Sequence, residues 1–207
     1  MADLFKDLGG RIILGKEVKA ISENSRIVTI QLERDKIISN YLLACAGLKA
    51  ERVAKMIGID TDFKIIPFRG EYYQLPAKYN DTFKHLIYPV PDPEMPFLGV
   101  HLTRMIDGSV TVGPNAVLGW KREGYVNLNL GLKDSFDMLT FPGFWKVMGK
   151  NFISGMREFK DSLYKSGYLE RVRKYCPILT ISDLLPYPAG IRAQAVKKDG
   201  SLVHDFV

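Results

Sequence analysis

The chain has 207 residues, 46% apolar and 25% charged, which is ordinary for a globular protein and enough for one sizeable core or two small ones. Its net charge of +6 is concentrated between Trp145 and Pro177, where eight Lys/Arg face three Asp/Glu; a solvated helix face accounts for this excess, and no nucleic-acid partner is expected. Cys45 and Cys176 have no metal or redox spacing, no apolar run is long enough to span a bilayer, and the N-terminus lacks the regions of a signal peptide, so a cytoplasmic location is expected.

In chain order, Arg11 to Ile21 and Ser25 to Leu32 are rich in β-branched residues and predict a hairpin around the polar turn Ser22-Glu23-Asn24. Ile37 to Gly47 becomes almost continuously apolar and predicts a strand covered on both faces. Lys49 to Gly58 predicts a short helix closed by Gly58. From Ile65 the texture changes to strands rich in aromatics and prolines: Ile65–Leu75, His85–Pro93, Phe97–Met105 and Gly108–Trp120, with Asp107-Gly108 as a two-residue hairpin turn. From Phe144 the period becomes helical, with Met148, Phe152, Met156, Phe159 and Leu163 on one stripe. Gly167 is expected to break that helix, and Tyr168–Tyr175 to form a second one stopped by Pro177. The expected class is α+β, a mixed or antiparallel sheet with helices from Phe144 to Tyr175 covering one face.

Three segments carry a family resemblance. Tyr41–Ala54, YLLACAGLKAERVA, resembles the flavin-contacting strand and following helix of the D-amino-acid-oxidase-like FAD-dependent oxidoreductases. Pro67–Leu75 resembles the next strand of that family, and Pro188–Phe206 the return segment in which an Arg meets the substrate carboxylate. Within the family, Leu86–Tyr125 is similar to the branch that oxidises L-2-hydroxyglutarate to 2-oxoglutarate by hydride transfer to flavin. The resemblance implies FAD as cofactor, with Ala44, Ala46, Gly47 and Gly190 beside it, and a small dicarboxylate as substrate. It implies a partial, split FAD-binding domain over residues 1–64, a substrate-binding domain over 65–178 and a return segment over 179–207. The GxGxxG turn that holds the FAD pyrophosphate in the family has no counterpart, since Leu8-Gly9-Gly10-Arg11 is too short and leads into a strand. The expectation is therefore a fragment of such an enzyme, inactive alone, not retaining FAD and prone to self-association. Oxygen and a membrane quinone both remain open as electron acceptors, the second implying peripheral attachment to the inner membrane. Two other readings stay open: a non-catalytic remnant that binds a small carboxylate without flavin, and an interaction module built on the basic helices.

Oxidising a 2-hydroxy acid needs a cation for the carboxylate, a base for the hydroxyl proton and a hydride acceptor. Arg192 is the first candidate clamp, because its planar fork makes two parallel bonds and Gly190 lets the backbone come close. His101 is the candidate base, an unperturbed imidazole titrating near ~6.5. Arg104, three residues on, points to the opposite face of a regular strand. A second carboxylate calls for another cation, for which Arg69 or Lys121-Arg122 are candidates, and Asn115 offers an amide to the substrate or to a turn. Tyr72, Tyr73 and Tyr88 read as packing residues with a polar tip. His85, His204 and Cys176 give no metal spacing, and no metal site is expected.

Overall fold

The computed structural model describes residues 1–90, 99–123, 125, 130–150 and 164–203. The chain divides into two units, Met1–Thr61 and Asp62–Val207.

The first unit opens on helix α1 (Ala2–Asp7), which buries none of its residues. Strands β1 (Ala20–Glu23), β2 (Val28–Gln31) and β3 (Lys36–Ser39) follow as an antiparallel meander. The expected hairpin is present with its turn displaced. Ser22 and Glu23 belong to β1, and Asn24 makes the turn because its Oδ1 accepts the N–H groups of Arg26 and Ile27, each at 3.0 Å. Residues 11–19 are not a strand, since β2 is only four residues long before Leu32 N–H turns back to the Asp35 carbonyl at 2.8 Å, leaving β1 no longer partner. Of the apolar strand expected over Ile37–Gly47, only Ile37–Ser39 forms, within β3. Its ladder ends at Ser39, opposite the first residue of β2, and the Ser39 hydroxyl bonds the Tyr41 carbonyl at 2.9 Å instead. Helix α2 (Ala50–Met56) forms as expected, and Gly58 follows it at φ +81°, the left-handed conformation that glycine adopts without strain.

The second unit is built on β4 (Phe63–Gln74), which pairs along its whole length with β8 (Leu185–Lys197). On the other edge of β4 lie β7 (Val117–Leu118), against Phe68 and Arg69, and β6 (Val110–Gly113), against Tyr73 and Gln74; β5 (His101–Arg104) pairs with β6. Every pairing is antiparallel. The β5–β6 hairpin has one more loop residue than expected: Met105 N–H bonds the Ser109 carbonyl at 2.8 Å, and Gly108 takes φ +83° between them. Of the expected strand His85–Pro93, the described part contributes one bridge, Ile87 to Leu102; residues 91–98 lie outside the described residues.

Among the described residues, helices α3 (Leu132–Leu139), α4 (Pro142–Lys150) and α5 (Lys165–Arg173) also belong to this unit. They cover both faces of the sheet, where one was expected. Tyr73, Leu102 and Val112 turn one way and pack on Tyr168, Leu169 and Val172 of α5. Ile66, Phe68 and Val196 turn the other way and pack on Met138 of α3 and on Phe144 and Val147 of α4. Gly167 sits inside the first turn of α5 instead of breaking it. A helical glycine costs about 1 kcal/mol, which burial of Tyr168, Leu169 and Val172 outweighs at roughly 1.5–3 kcal/mol for each large apolar side chain. The stripe residues Phe152, Met156, Phe159 and Leu163 lie outside the described residues.

Candidate active site

On β4, side chains alternate, so Phe68, Gly70 and Tyr72 share one face of the sheet. Phe68 stands opposite Arg192 and Gly70 opposite Gly190. His101 stands opposite Gly113, and a Cβ on Gly113 would lie 3.0 Å from the Tyr72 ring. Phe68, Gly70, Tyr72, His101, Gly190 and Arg192 line one cavity of about 300 Å³, walled further by Pro114 and Asn115.

Its wall depends on close backbone approach. A Cβ at Gly70 would come within 2.6 Å of the Pro114 ring, so only glycine lets the cis Gly113-Pro114 turn lie against β4. Gly113 has φ +140°, and a Cβ there would strike the Glu71 carbonyl and the Tyr168 hydroxyl at 2.7 Å. Tyr168, reaching up from α5, donates to the Val112 carbonyl at 2.9 Å. Asn115 is buried and committed to Glu71: its Oδ1 accepts the Glu71 N–H at 2.8 Å and its Nδ2 donates to the Glu71 carboxylate at 2.9 Å. The other carboxylate oxygen pairs with Arg69, both side chains being largely buried. Arg69 therefore lies in the sheet beside the cavity and not on its lining.

His101 is half-buried, with Nδ1 3.3 Å from the Gly99 carbonyl and its ring stacked on Tyr88 at 4.3 Å between centroids. Burial pushes the imidazole below its ordinary titration range, against a smaller opposite pull from the Gly99 carbonyl. A proton on Nδ1 directed at that carbonyl leaves the Nε2 lone pair available, the state a general base needs. Arg104 points away, as the strand alternation predicts, and donates to the carbonyls of Asn80 at 2.8 Å and Phe83 at 3.0 Å. Arg192 is exposed on the cavity lining. Arg122 is 3% exposed and its backbone N–H bonds Asp134 at 2.9 Å; neither it nor Lys121 lines the cavity.

Tyr72, read from the sequence as packing, contributes to the lining, and burial raises its phenol above the ordinary range. Its signal was present as the alternation Phe68, Gly70, Tyr72, which puts it on the face of Arg192 once the β4–β8 register is known. Glu71 was missed as well, although its two-residue spacing from Arg69 places both on one strand face. Ala44, Ala46 and Gly47 belong to the first unit; Ala44 and Gly47 are exposed, and Gly47 opens a short 3-10 turn at φ +47°. Among the described residues, no cluster of His, Cys, Asp and Glu is arranged to hold a metal, and no helix is long and apolar enough to cross a membrane.

A family model described as FAD dependent oxidoreductase matches residues 1–207. The chain belongs to this family of flavin-dependent oxidoreductases. It is 52% identical over all of its length to an L-2-hydroxyglutarate dehydrogenase of Salmonella houtenae, of which it covers 49%, and 39% identical to the mitochondrial L-2-hydroxyglutarate dehydrogenase of Homo sapiens, with 98% of this chain and 46% of the relative covered. It thus spans about half the length of the curated relatives it matches. A solved structure, the dithionite-reduced L-alpha-glycerophosphate oxidase of Mycoplasma pneumoniae with FAD bound, shares the fold at a TM-score of 0.59 and 21% identity, over 92% of this chain and 41% of that one.

The cavity floor fits the ring end of such a cofactor. A Cβ on Gly190 would meet only the Tyr72 ring, at an ordinary 3.7 Å, so the strand surface is open to a flat group. For the pyrophosphate end, the described residues offer no glycine-rich turn leading into a helix, since Gly9 and Gly10 run into a segment that is neither helix nor strand.

Proposed function

We propose that the second unit supplies the substrate side of an FAD-dependent oxidation of L-2-hydroxyglutarate to 2-oxoglutarate. The observation that carries this reading is that His101 and Arg192, from strands on opposite sides of β4, line the same cavity. Arg192 binds the C1 carboxylate through its two-pronged guanidinium. His101, kept neutral by burial, takes the proton of the C2 hydroxyl. FAD, when bound, supplies the acceptor for the hydride that leaves C2. Asn115 holds the cavity wall through Glu71, and Gly190 leaves room beside Tyr72 for the flavin ring. We assign residues 1–64, with Ala44, Ala46 and Gly47, to the flavin side, residues 65–178 to the substrate and 179–207 to the return strand that brings Arg192. Oxygen or a membrane quinone serves as the final acceptor in this scheme, the second drawing the protein to the membrane surface. Self-association is part of the proposal, because Tyr41 and Leu43 are each 87% exposed.

The test is kinetic and needs a full-length enzyme carrying these residues. Arg192→Ala lowers kcat/KM for L-2-hydroxyglutarate by the loss of a charged hydrogen-bond partner, about 2–5 kcal/mol, with flavin content unchanged. Arg192→Lys recovers part of it. His101→Asn lowers kcat more than it raises KM. A near-silent Arg192→Ala beside a crippling Arg104→Ala would place the substrate elsewhere.

A further inference from the structure

A five-carbon dicarboxylate brings two negative charges, and among the described residues the cavity lining carries one guanidinium, Arg192. The other arginine near the cavity, Arg69, is engaged by Glu71 and turned off the lining. Asn115 has both ends of its amide bonded to Glu71. Of the polar side chains that reach the cavity among the described residues, this leaves His101, assigned to the hydroxyl proton, and Tyr72.

Tyr72 is placed for a ligand in a way that packing does not explain. Two glycines bracket its ring: a Cβ on Gly113 would lie 3.0 Å from Cδ1, and one on Gly190 3.7 Å from Cε2. On the Gly113 side the ring packs closely, with the Glu71 carbonyl and the Tyr168 hydroxyl crowding the same spot, whereas the missing side chain of Gly190 leaves the other edge of the ring open to the cavity. Along β4 it sits beside Gly113, on the rung that leads to His101, and Gly70 separates it from the rung where Phe68 faces Arg192. Its hydroxyl makes no hydrogen bond to any described residue, whereas the neighbouring Tyr168 hydroxyl is spent on the Val112 carbonyl. A half-buried phenol that lines a cavity and has no acceptor among the described residues can donate to a ligand anion there.

We propose that the Tyr72 hydroxyl donates a hydrogen bond to the second carboxylate of the substrate and is the residue that selects a dicarboxylate over a 2-hydroxy acid with an apolar tail. This rests on the reading of Arg192 as the clamp for the first carboxylate. The raised titration range of the phenol supports it, because a tyrosine that stays protonated stays a donor. A neutral donor is well suited to this position, since it satisfies the anion without placing a second cation beside His101, which would further disfavour the protonated imidazole formed in turnover.

The experiment is direct binding to the 207-residue chain, followed by calorimetry with L-2-hydroxyglutarate and with L-2-hydroxypentanoate, which has the same carbon chain and a methyl in place of the second carboxylate. The wild-type chain is expected to prefer the dicarboxylate. Tyr72→Phe reduces that preference about tenfold or more, through the dicarboxylate alone, as the loss of a hydrogen bond to a charged group implies. Arg192→Ala weakens both ligands. As a readout that needs no variant, the 13Cζ resonance of Tyr72 shifts on adding the dicarboxylate and not on adding the monocarboxylate. If Arg192→Ala weakens both ligands while Tyr72→Phe keeps the full preference, or if the Tyr72 resonance responds equally to both, the assignment of Tyr72 is wrong and the clamp stands. If Arg192→Ala is silent, or neither ligand binds the wild-type chain, the clamp fails and the Tyr72 proposal falls with it.

Discussion

In Met1–Thr61 the strands are four residues long and only Ile21, Val28 and Leu32 among the hydrophobic residues are buried, whereas in Asp62–Val207 strands of twelve and thirteen residues run between two apolar clusters. The first unit leaves Leu14, Tyr41 and Leu43 each at least 85% exposed. The second closes Leu102, Val110, Val112, Val172 and Val196 off from solvent. A cavity whose walls are held to within a few tenths of an ångström requires the second kind of surroundings, because only a packed sheet fixes where Gly70 meets Pro114. The candidate chemistry therefore sits where the chain provides its own cover.

The largest effect is expected where that cover is polar. Glu71→Ala leaves the Arg69 guanidinium in the sheet without its carboxylate and removes the acceptor of the Asn115 Nδ2, while the backbone N–H still bonds the Asn115 Oδ1, at a cost of about 3–5 kcal/mol to the second unit. Urea unfolding followed at Tyr168 and at the amides of Thr29 and Ile30 distinguishes the units; a change confined to the latter would contradict the comparison. Next in size, Leu102→Ala opens a cavity under α5 and costs about 2–5 kcal/mol by the same measurement.

A smaller effect concerns pH. Burial holds His101 below the ordinary value of about 6.5, so its contribution to folding is present above that pH and lost as the pH falls through the lower folded value. Titration of the His101 ring by NMR should give a midpoint below that of an unfolded peptide, and the acid limb of activity in a full-length enzyme should follow it down. A midpoint at or above the peptide value would remove the argument for a neutral base. The smallest effect is predicted on the first unit's surface. Lys19 lies between Glu17 and Glu33 in solvent, and Lys19→Ala should leave the melting temperature where it was.

What the sequence made legible follows the same division. Strand β4 was readable because Ile65 to Phe68 are buried on both faces and form an apolar run. The opposition of His101 and Arg104 followed from strand alternation alone. The segment after Ser39 carries the same apolar text as β4, yet the ladder stops where β2 starts, and no local pattern encodes the absence of a neighbour. Helix α3 went unread because Leu132 and Phe136 face solvent at 91% and 68% while only Met138 is buried, which blurs its period. In the site, residue type suggested Arg69 and Asn115 as substrate contacts, and the structure commits both to Glu71. Proximity of the right group is not availability, and availability depends on pairing that only the register settles.

The β4–β8 ladder has one irregularity: Gly70 faces Gly190 but Tyr72 faces Tyr187, so Pro188 and Ala189 together stand opposite Glu71. This bulge divides β8 into two frames, a short one at Leu185–Tyr187 and a long one from Gly190 to Lys197 that carries Arg192. Gain or loss of a residue at Pro188–Ala189 is absorbed by the short frame and leaves Arg192 facing the cavity. The same change between Arg192 and Val196 sets the two halves of the long frame one step out of phase, so that keeping Val196 in the core turns Arg192 to the other face and brings a neighbour to the lining. Descendants of this chain can thus vary in length on one side of Gly190 and not on the other.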